Sequence, residues 1–440
     1  MTKLFGTDGV RGIANKDLTP ELAFKLGFAG ARFLSPDKGC LALGHDPRLS
    51  GDMLQSALTA GICSAGIDVL DLGVLPTPAL AWLVKKLGAN GGAIVSASHN
   101  TAEYNGIKFF SRAGIKLSEE EESAIEALVS QARDDRAMGE DIGKIIDDRD
   151  AINLYEDHVL AGAGDDILFK VALDCANGAA YKIAPEIFRR LGMDVTPIAV
   201  EPDGHNINRD CGSTHIDKLA ETVRKDGFDV GIAFDGDTDR MLAVDADGRQ
   251  IDGDHIMAIC ALHRLEEGHL RPPAVCVTVM TNIGFEIAMR DQGIEVVKTQ
   301  VGDRFVLQEM LAKGITMGGE QSGHVIFLDR NSTGDGIITA IELLKVMRDT
   351  GKPLSELAKA MTTFPQVLRN LRADGVKHIA ESTDVLEAIA EGQRELGERG
   401  RVLVRPSGTE PVIRVMVESE NQEQADRVAG NICRAIEAQI

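Results

Sequence analysis

Short runs of β-branched and apolar residues alternate with helical patterns along most of the chain. The runs that predict strands are Cys40–Gly44, Val69–Leu72, Gly92–Val95, Phe169–Leu173, Val230–Phe234, Ala274–Val279 and Ile294–Thr299. Gly, Asn or Asp flank them, as is usual for strands. Helix starts are predicted at Thr19-Pro20 and at Ser118, whose acidic successors fit a capping box. Alternation of this kind predicts α/β layers.

The C-terminal segment follows a different pattern. Strands are predicted at Gln366–Leu371, Arg401–Arg405 and Val412–Val417. A helix follows, and its apolar stripe consists of Ala425, Val428, Ala429, Ile432 and Ile436. This order of elements predicts a small α+β domain.

Breaks in composition predict where the domains meet. The charged segment Arg133–Asp150 has little periodicity, so we interpret it as a linker, and further breaks lie near Asp245–Asp254 and Thr362–Pro365. We therefore expect three α/β domains and one α+β domain. Their expected bounds are 1–150, 151–250, 251–365 and 366–440.

Composition narrows the classes of partner. The 440 residues include 47 Lys and Arg against 68 Asp and Glu, a net charge of −21. Duplex DNA and anionic membranes reward basic surfaces, so we expect neither nucleic acid nor membrane as a partner. A phosphorylated ligand needs only a local basic pocket, so the net charge does not exclude it.

Targeting and redox signals are weak. The chain has no run of about 20 apolar residues, so we expect no transmembrane helix. The first residues lack the apolar core of a signal peptide. Seven scattered cysteines without a CxxC spacing predict reduced thiols in a cytoplasm.

Three aspartates follow the predicted strand Val230–Phe234. In an extended chain, Asp235, Asp237 and Asp239 would point to one side. Oxygen ligands of this kind suit Mg²⁺ or Ca²⁺. An EF-hand is excluded because its Gly and Glu positions hold Arg240 and Ala246. The alternative is an acidic turn that holds water.

A second candidate segment is Ser96–Asn100, where a strand runs into a turn with a hydroxyl and an imidazole. Ser98 could be a nucleophile or carry a phosphate. An ordinary polar turn is the alternative. Lys108 stands ten residues later and could return to the same loop.

Two glycine-containing loops carry further polar groups. The loop Gly319–His324 could surround sugar hydroxyls, or it could be a tight turn between strands. The loop Arg405–Pro411, with Arg414 beyond it, offers guanidinium, hydroxyl and backbone N–H groups that suit a phosphate. Together with the aspartates and Ser98, these loops indicate phosphoryl transfer on a phosphosugar.

The sequence resembles the α-D-phosphohexomutase family. The segments that carry the resemblance occur in order along the whole chain: Phe5–Gly12, Ser96–Asn100, Asp235–Arg240, Gly319–His324 and Arg405–Pro411. Gln321 is the residue typical of this loop position in members that act on glucosamine phosphates. The segments Cys211–His215 and Val301–Arg304 also resemble that subgroup.

The resemblance implies a fold and a set of roles. It implies three mixed-sheet α/β domains and a smaller C-terminal α+β domain around a central active-site cleft. Ser98 would be the phosphoserine, and it would bind Mg²⁺ together with Asp235, Asp237 and Asp239. Arg11, Lys108 and His324 would lie near the transferring phosphate, the last two as candidates for proton transfer. The implied substrate-binding residues are Arg240, Gly302, Glu320, Ser322, Arg405, Ser407, Gly408, Thr409 and Arg414.

The implied activity is that of an isomerase. It interconverts glucosamine 6-phosphate and glucosamine 1-phosphate, with glucosamine 1,6-bisphosphate or another hexose 1,6-bisphosphate as activator. Such a reaction feeds UDP-N-acetylglucosamine and peptidoglycan precursor synthesis in the bacterial cytoplasm. A homodimer, and a kinase or autophosphorylation that first modifies Ser98, are compatible with the resemblance.

Two alternatives remain at this point. The substrate could be a mannose or glucose phosphate, or the chain could be a non-catalytic phosphosugar sensor on the same fold. The sequence also departs from the family pattern, because Thr101 replaces the usual Pro after Ser-His-Asn and Thr238 replaces a common Ala. Without that Pro the backbone φ is no longer fixed, so we expect a looser serine loop.

Overall fold

The computed structural model describes residues 4–6, 8–131, 135–373, 376–406 and 411–440. The chain divides into two compact units. The larger consists of Met1–Met280 with Val297–Ala358, and the smaller of Thr281–Val296 with Lys359–Ile440. Within the described residues, no helix has both the length and the apolar character needed to cross a membrane.

The first sheet has six strands in the order β1-β5-β4-β2-β3-β6. The strands are β1 (Val10–Ile13), β2 (Cys40–His45), β3 (Asp68–Val74), β4 (Gly91–Val95), β5 (Tyr104–Ser111) and β6 (Ile145–Asp147). The helices are α1 (Pro20–Leu34), α2 (Gly51–Ser64), α3 (Thr77–Leu87), α4 (Glu119–Ser130) and α5 (Ile152–Ala163). The sheet is mixed, since β2 runs parallel to β3 and β4 while β5 is antiparallel to β4 and β1.

The second sheet has five strands in the order β11-β10-β9-β7-β8. The strands are β7 (Lys170–Asp174), β8 (Asp194–Ile198), β9 (Val230–Phe234), β10 (Met241–Asp245) and β11 (Gln250–Ile251). The helices are α6 (Ile183–Arg190) and α7 (Asp217–Asp226). The hairpin β9–β10 turns through the aspartate segment, so the fold presents these acids at one end of the sheet.

The third sheet has four strands in the order β13-β12-β14-β15. The strands are β12 (Ala274–Thr278), β13 (Glu295–Thr299), β14 (Met317–Gly319) and β15 (Val325–Phe327). The helices are α8 (Gly253–Glu266), α9 (Ile283–Asp291), α10 (Asp303–Lys313), α11 (Gly336–Thr350) and α12 (Leu354–Leu357). Helix α9 belongs to the smaller unit.

The smaller unit contains a three-stranded antiparallel sheet in the order β16-β18-β17. The strands are β16 (Gln366–Arg372), β17 (Gly400–Pro406) and β18 (Val412–Ser419). The helices are α13 (Val376–Ala380), α14 (Thr383–Leu396) and α15 (Gln422–Glu437). All five residues of the predicted apolar stripe in α15 are buried in its core, which confirms that prediction.

Local sequence signals account for several element ends. The Thr19 hydroxyl accepts a hydrogen bond from the Leu22 N–H and begins α1. Ser118 and Glu121 form the predicted capping box at α4. The mixed α/β fold class with a small C-terminal domain is confirmed by the three mixed sheets and the separate antiparallel one.

One prediction about organisation is wrong. Arg133–Asp150 is not simply a linker, because Ile145–Asp147 forms β6 and pairs in parallel with β3 at the edge of the first sheet. The part at 132–134 lies outside the described residues. The charged neighbours obscure the β-branched pair Ile145-Ile146, and all three strand residues are exposed, so no alternation marks them.

Helices α1 and α2 cross at unusually short range. A Cβ at Gly61 would stand 2.1 Å from the Phe24 carbonyl oxygen, and one at Gly27 would stand 2.2 Å from that of Leu58. Real side chains do not tolerate such distances, so both positions require glycine for the helix backbones to meet. The crossing supports the core beneath the first sheet.

We predict opposite effects of alanine at two helical glycines. Gly61→Ala should lower the free energy of unfolding by about 1–3 kcal/mol, because the added methyl forces the helices apart. Gly430→Ala in α15, where the nearest atom would lie 3.7 Å from the added methyl, should raise it by about 0.5–1 kcal/mol. Urea unfolding followed by circular dichroism measures both. A Gly61→Ala protein as stable as the parent would refute the close crossing.

Candidate functional site

The three aspartates that follow β9 converge in a buried turn. One carboxylate oxygen from each of Asp235, Asp237 and Asp239 lies within 4.8 Å of the others. The convergence confirms the expected cluster, but its geometry differs from the expected extended chain. Thr238 has a φ of 68°, and its N–H bonds to the Asp235 carbonyl, so a tight turn brings the acids together.

The Ser98 hydroxyl points into this turn. Its Oγ donates to Oδ2 of Asp235 at 2.6 Å, and the His99 Nδ1 lies 3.4 Å from the same Oγ. Ser98 is buried and has a φ of 51°, a conformation uncommon for a residue with a Cβ. The turn and the serine loop meet at Gly236, where a Cβ would stand 2.6 Å from the Ser98 carbonyl oxygen.

The serine loop is held by its backbone carbonyls. The Arg48 Nη2 donates to the carbonyls of Ser98 at 2.9 Å and Asn100 at 2.8 Å. The Asn208 amide donates to the same two carbonyls, each at 2.9 Å. Arg48 also bonds to the Thr101 carbonyl. These contacts fix the loop from two sheets, in place of the Pro that the sequence lacks.

Arg48 is itself fixed by a buried carboxylate. Its Nε donates to Oδ2 of Asp46 at 2.9 Å, and both side chains are fully buried. The Ser96 hydroxyl donates to the same Asp46 oxygen at 2.6 Å and accepts from the Ser98 N–H at 3.0 Å. The loop therefore has few degrees of freedom left around Ser98.

Lys108 lies beside the acidic turn. Its Nζ is 3.1 Å from Oδ2 of Asp237 and 3.0 Å from Oδ2 of Asp8. Arg11 also forms an ion pair with Asp8. Burial would lower the pKa of Lys108, but the two carboxylates outweigh it and raise the pKa above its usual value. Lys108 therefore remains an ammonium at neutral pH.

His324 lies between two carboxylates. Its Nδ1 is 3.5 Å from Oδ2 of Asp239, and its Nε2 is 3.7 Å from Oδ2 of Asp303. The Gly334 N–H also reaches Nε2 at 3.2 Å. Burial alone would lower the pKa of His324, but these carboxylates raise it above the usual value.

The pKa of Asp235 differs in direction from that of Asp239. Burial, with the neighbouring acids, raises the pKa of Asp235 well above its usual range. Burial would also raise the pKa of Asp239, but His324 outweighs it and lowers that pKa. Arg240 donates its backbone N–H to Oδ1 of Asp235 at 3.1 Å and stays charged, because nearby carboxylates raise its pKa against the effect of burial.

Glu320 of the predicted sugar loop lies beside Gly302, a second predicted substrate-binding residue. The Gly302 N–H donates to Oε1 of Glu320 at 3.2 Å, and burial raises the pKa of Glu320. Ser322 is exposed in the turn that follows. The Gln321 amide donates to Oδ2 of Asp252 at 3.1 Å, which ties the loop to the start of α8.

The predicted phosphate loop lies in the smaller unit. Arg405 and Arg414 face each other across β17 and β18. Burial, with Arg414 nearby, lowers the pKa of Arg405. Ser407, Gly408 and Thr409 lie outside the described residues.

Comparison with known proteins covers the chain from end to end. Four models of phosphoglucomutase/phosphomannomutase domains match it: domain I at residues 2–136, domain II at 155–248, domain III at 252–364 and the C-terminal domain at 343–435. The chain belongs to the phosphoglucomutase/phosphomannomutase family. The resemblance to the phosphohexomutases is thereby confirmed.

Individual members of the family are similar over their full length. A phosphoglucosamine mutase from Pelotomaculum thermopropionicum is 52% identical, over 99% of each chain. A phosphoglucomutase/phosphomannomutase family protein from Burkholderia thailandensis has a similar fold, with a TM-score of 0.82, 24% identity and coverage of 100% of this chain and 98% of that one. An N-acetylphosphoglucosamine mutase from Aspergillus fumigatus, solved with GlcNAc-6P and magnesium, has a TM-score of 0.70, 18% identity and coverage of 99% and 95%.

The acidic turn of this phosphohexomutase fits a divalent cation with oxygen ligands. The Oδ1 atoms of Asp237 and Asp239 are buried and accept no hydrogen bond from any described residue. Buried carboxylate oxygens without donors are costly unless a cation or a proton neutralises them. Three carboxylates on one turn, two of which keep an oxygen without a donor among the described residues, suit a hard cation that takes oxygen ligands.

The sequence did not identify several residues that build the site. The motifs do not single out Arg48, Asn208 or Lys116, and they include Asp8 and Asp303 only as parts of longer segments. A signal existed for Arg48, because β2 and β4 are parallel neighbours whose carboxyl ends lie at one edge of the sheet. No spacing in the sequence links the others, because they lie far apart along the chain.

We predict that Arg48→Lys loosens the serine loop. Lysine can keep the ion pair with Asp46 but cannot reach the same carbonyls with a planar fork. Two lost hydrogen bonds of about 1 kcal/mol each should speed amide exchange in peptide 96–105 about 10- to 100-fold. Hydrogen exchange with mass spectrometry measures this. Arg249→Lys, at an exposed guanidinium, is the control, and unchanged exchange in Arg48→Lys would contradict the role of the contacts.

Proposed function

We propose that the chain is a phosphoglucosamine mutase, which interconverts glucosamine 6-phosphate and glucosamine 1-phosphate. The observation that carries the proposal is the buried Ser98 hydroxyl, 2.6 Å from Asp235 in an acidic turn. The 52% identity to a phosphoglucosamine mutase over the full length supports the choice of sugar. The free cysteines and bacterial relatives support a bacterial cytoplasmic location.

The reaction passes through a phosphoserine. Phospho-Ser98 donates its phosphoryl group to O1 of glucosamine 6-phosphate and gives the 1,6-bisphosphate. The bisphosphate reorients, and its 6-phosphoryl group returns to Ser98, so glucosamine 1-phosphate leaves. The phosphate on Ser98 is conserved over one cycle, and a hexose 1,6-bisphosphate restores it when it is lost.

The surrounding charges suit this transfer. Phosphoryl transfer depends on positioning and on neutralising charge more than on covalent help. Ser98, Asp235, Asp237 and Asp239 would hold Mg²⁺, which supplies positive charge to the phosphoryl oxygens when bound. Lys108 remains an ammonium, so it suits charge neutralisation.

Proton transfer falls to His324 in this proposal. Because Asp239 and Asp303 raise its pKa, the imidazolium form is favoured; it can give its proton to the leaving Ser98 oxygen, and the neutral ring that remains can accept the proton of the sugar hydroxyl. Asp239 and Asp303 orient the ring from its two sides. Glu320 and Gly302 would hold sugar hydroxyls, and the guanidinium groups of Arg405 and Arg414 in the smaller unit suit a phosphate.

Ser98→Ala is predicted to abolish both phosphate uptake and turnover. Without the hydroxyl there is no acceptor for the phosphoryl group, so turnover should fall at least about 1,000-fold. Incubation with glucose 1,6-bisphosphate followed by peptide mass spectrometry tests uptake, and a coupled assay tests turnover. Ser123→Ala, at an exposed serine of α4, should behave like the parent.

A panel of substrates separates the alternatives. We expect faster turnover of glucosamine 6-phosphate than of glucose or mannose 6-phosphate. A preference for either of the latter would replace the proposed substrate. A parent protein that neither accepts phosphate nor turns over any of the three sugars would favour the phosphosugar sensor.

Loss of one turn carboxylate is predicted to weaken metal binding. Asp237→Asn removes one charged ligand, so Mg²⁺ affinity, measured by isothermal titration, should fall about 10-fold or more. Chelation by EDTA should abolish turnover of the parent, and Mg²⁺ should restore it. Asp247→Asn, at an exposed acid of the next hairpin, is the control. Unchanged Mg²⁺ affinity in Asp237→Asn would exclude the turn as the metal site.

A further inference from the structure

Lys116 connects two partly buried carboxylates, Asp8 and Asp303, and has no role of its own in the reaction scheme above. Its Nζ lies 2.9 Å from Oδ1 of Asp8 and 2.5 Å from Oδ2 of Asp303. Its side chain is only 10% exposed. Lys116 follows β5, where an isolated bridge to Phe110 fixes its backbone.

Each of these carboxylates faces a second cationic group. The other oxygen of Asp8 lies 3.0 Å from the Lys108 ammonium. The Asp303 oxygen that contacts Lys116 also lies 3.7 Å from Nε2 of His324. Lys116 therefore stands midway along a chain of alternating charges, with Lys108 at one side and His324 at the other.

Both ends of this chain reach the acidic turn. Lys108 contacts Asp237 at 3.1 Å, and His324 contacts Asp239 at 3.5 Å. Displacement of Asp8 or Asp303 would therefore move a group that faces the transferring phosphate. Removal of one partner from a buried ion pair leaves an uncompensated charge that must shift or gain a proton.

We propose that Lys116 is a positioning residue for phosphoryl transfer, because it holds Asp8 and Asp303 and thereby fixes Lys108 and His324. The inference rests on the proposed mutase function. Lys116 contacts carboxylates on both sides, so it acts through them and does not bind the sugar phosphate. Transition-state geometry, and not substrate affinity, should depend on it.

The test compares kcat and KM for glucosamine 6-phosphate in Lys116→Met and Lys116→Arg. Methionine keeps much of the length and loses the charge, so kcat should fall about 10- to 100-fold while KM stays within about twofold. Arginine restores a cation between the two acids and should recover part of the lost kcat. Lys225→Met, at an exposed lysine of α7, should match the parent.

A double-mutant cycle separates positioning from a general loss of stability. If Lys116 acts through Asp303, then Lys116→Met with Asp303→Asn should cost less kcat than the product of the two single effects. The double variant also removes one charge of each sign, so it provides a folded protein if Lys116→Met alone fails to fold. Thermal unfolding of each variant gives the folded fraction at assay temperature.

The outcomes are distinct from those of the proposed function. A parent protein without mutase activity would overturn that function, and this inference with it. An active parent would leave the function intact, and a kcat for Lys116→Met within about twofold would then overturn the inference alone. Multiplicative effects in the cycle, a loss carried by KM, or activity that follows only the folded fraction would also overturn it.

Discussion

Three carboxylates buried in one turn impose the strongest constraint on the larger unit. Burial penalises each charge, and each acid raises the cost of the next. The surroundings offset this in specific ways: the Ser98 hydroxyl donates to Asp235, Thr77 and Lys108 donate to Asp237, and His324 faces Asp239. Two oxygens still accept no hydrogen bond from the described part of the chain, so the turn suits a cation. The buried negative charge that favours a metal ion is thus also compensated by the Ser98 hydroxyl and the Lys108 ammonium.

A second constraint is backbone strain around the two reacting segments. Ser98 and Thr238 both have positive φ, which costs residues with a Cβ of order 1–3 kcal/mol, and Thr238 is β-branched as well. Carbonyl contacts from Arg48 and Asn208 hold the first segment, and the Gly336 N–H bonds to the Thr238 carbonyl at 2.9 Å. These contacts come from α11 and from loops of two sheets. These contacts hold the serine loop at a place where Thr101 leaves the backbone φ unfixed.

The sequence predicts what is local and misses what is brought together by the fold. Strand runs such as Val230–Phe234, the cap at Thr19 and the stripe of α15 follow from periodicity and capping, which involve near neighbours. Convergence of the aspartates was also predictable, because they lie within five residues of one another. Lys116 and Asp303 meet from distant segments, and no spacing encodes their contact. The edge strand β6 was not predicted for another reason: an exposed three-residue strand has no alternation of buried and exposed residues.

The net charge of −21 gives little information about such a site, because the local balance differs. Among the described residues at the turn, Asp8, Asp235, Asp237, Asp239 and Asp303 face the permanent cations Arg11, Lys108, Lys116 and Arg240, with His324 between them. Because these charges nearly cancel, a phosphoserine of about −2 alone would unbalance the network, and so would a divalent cation alone. The two together leave the balance unchanged. Metal and phosphate should therefore favour each other's binding, so a chain with a net negative charge can still bind an anionic substrate.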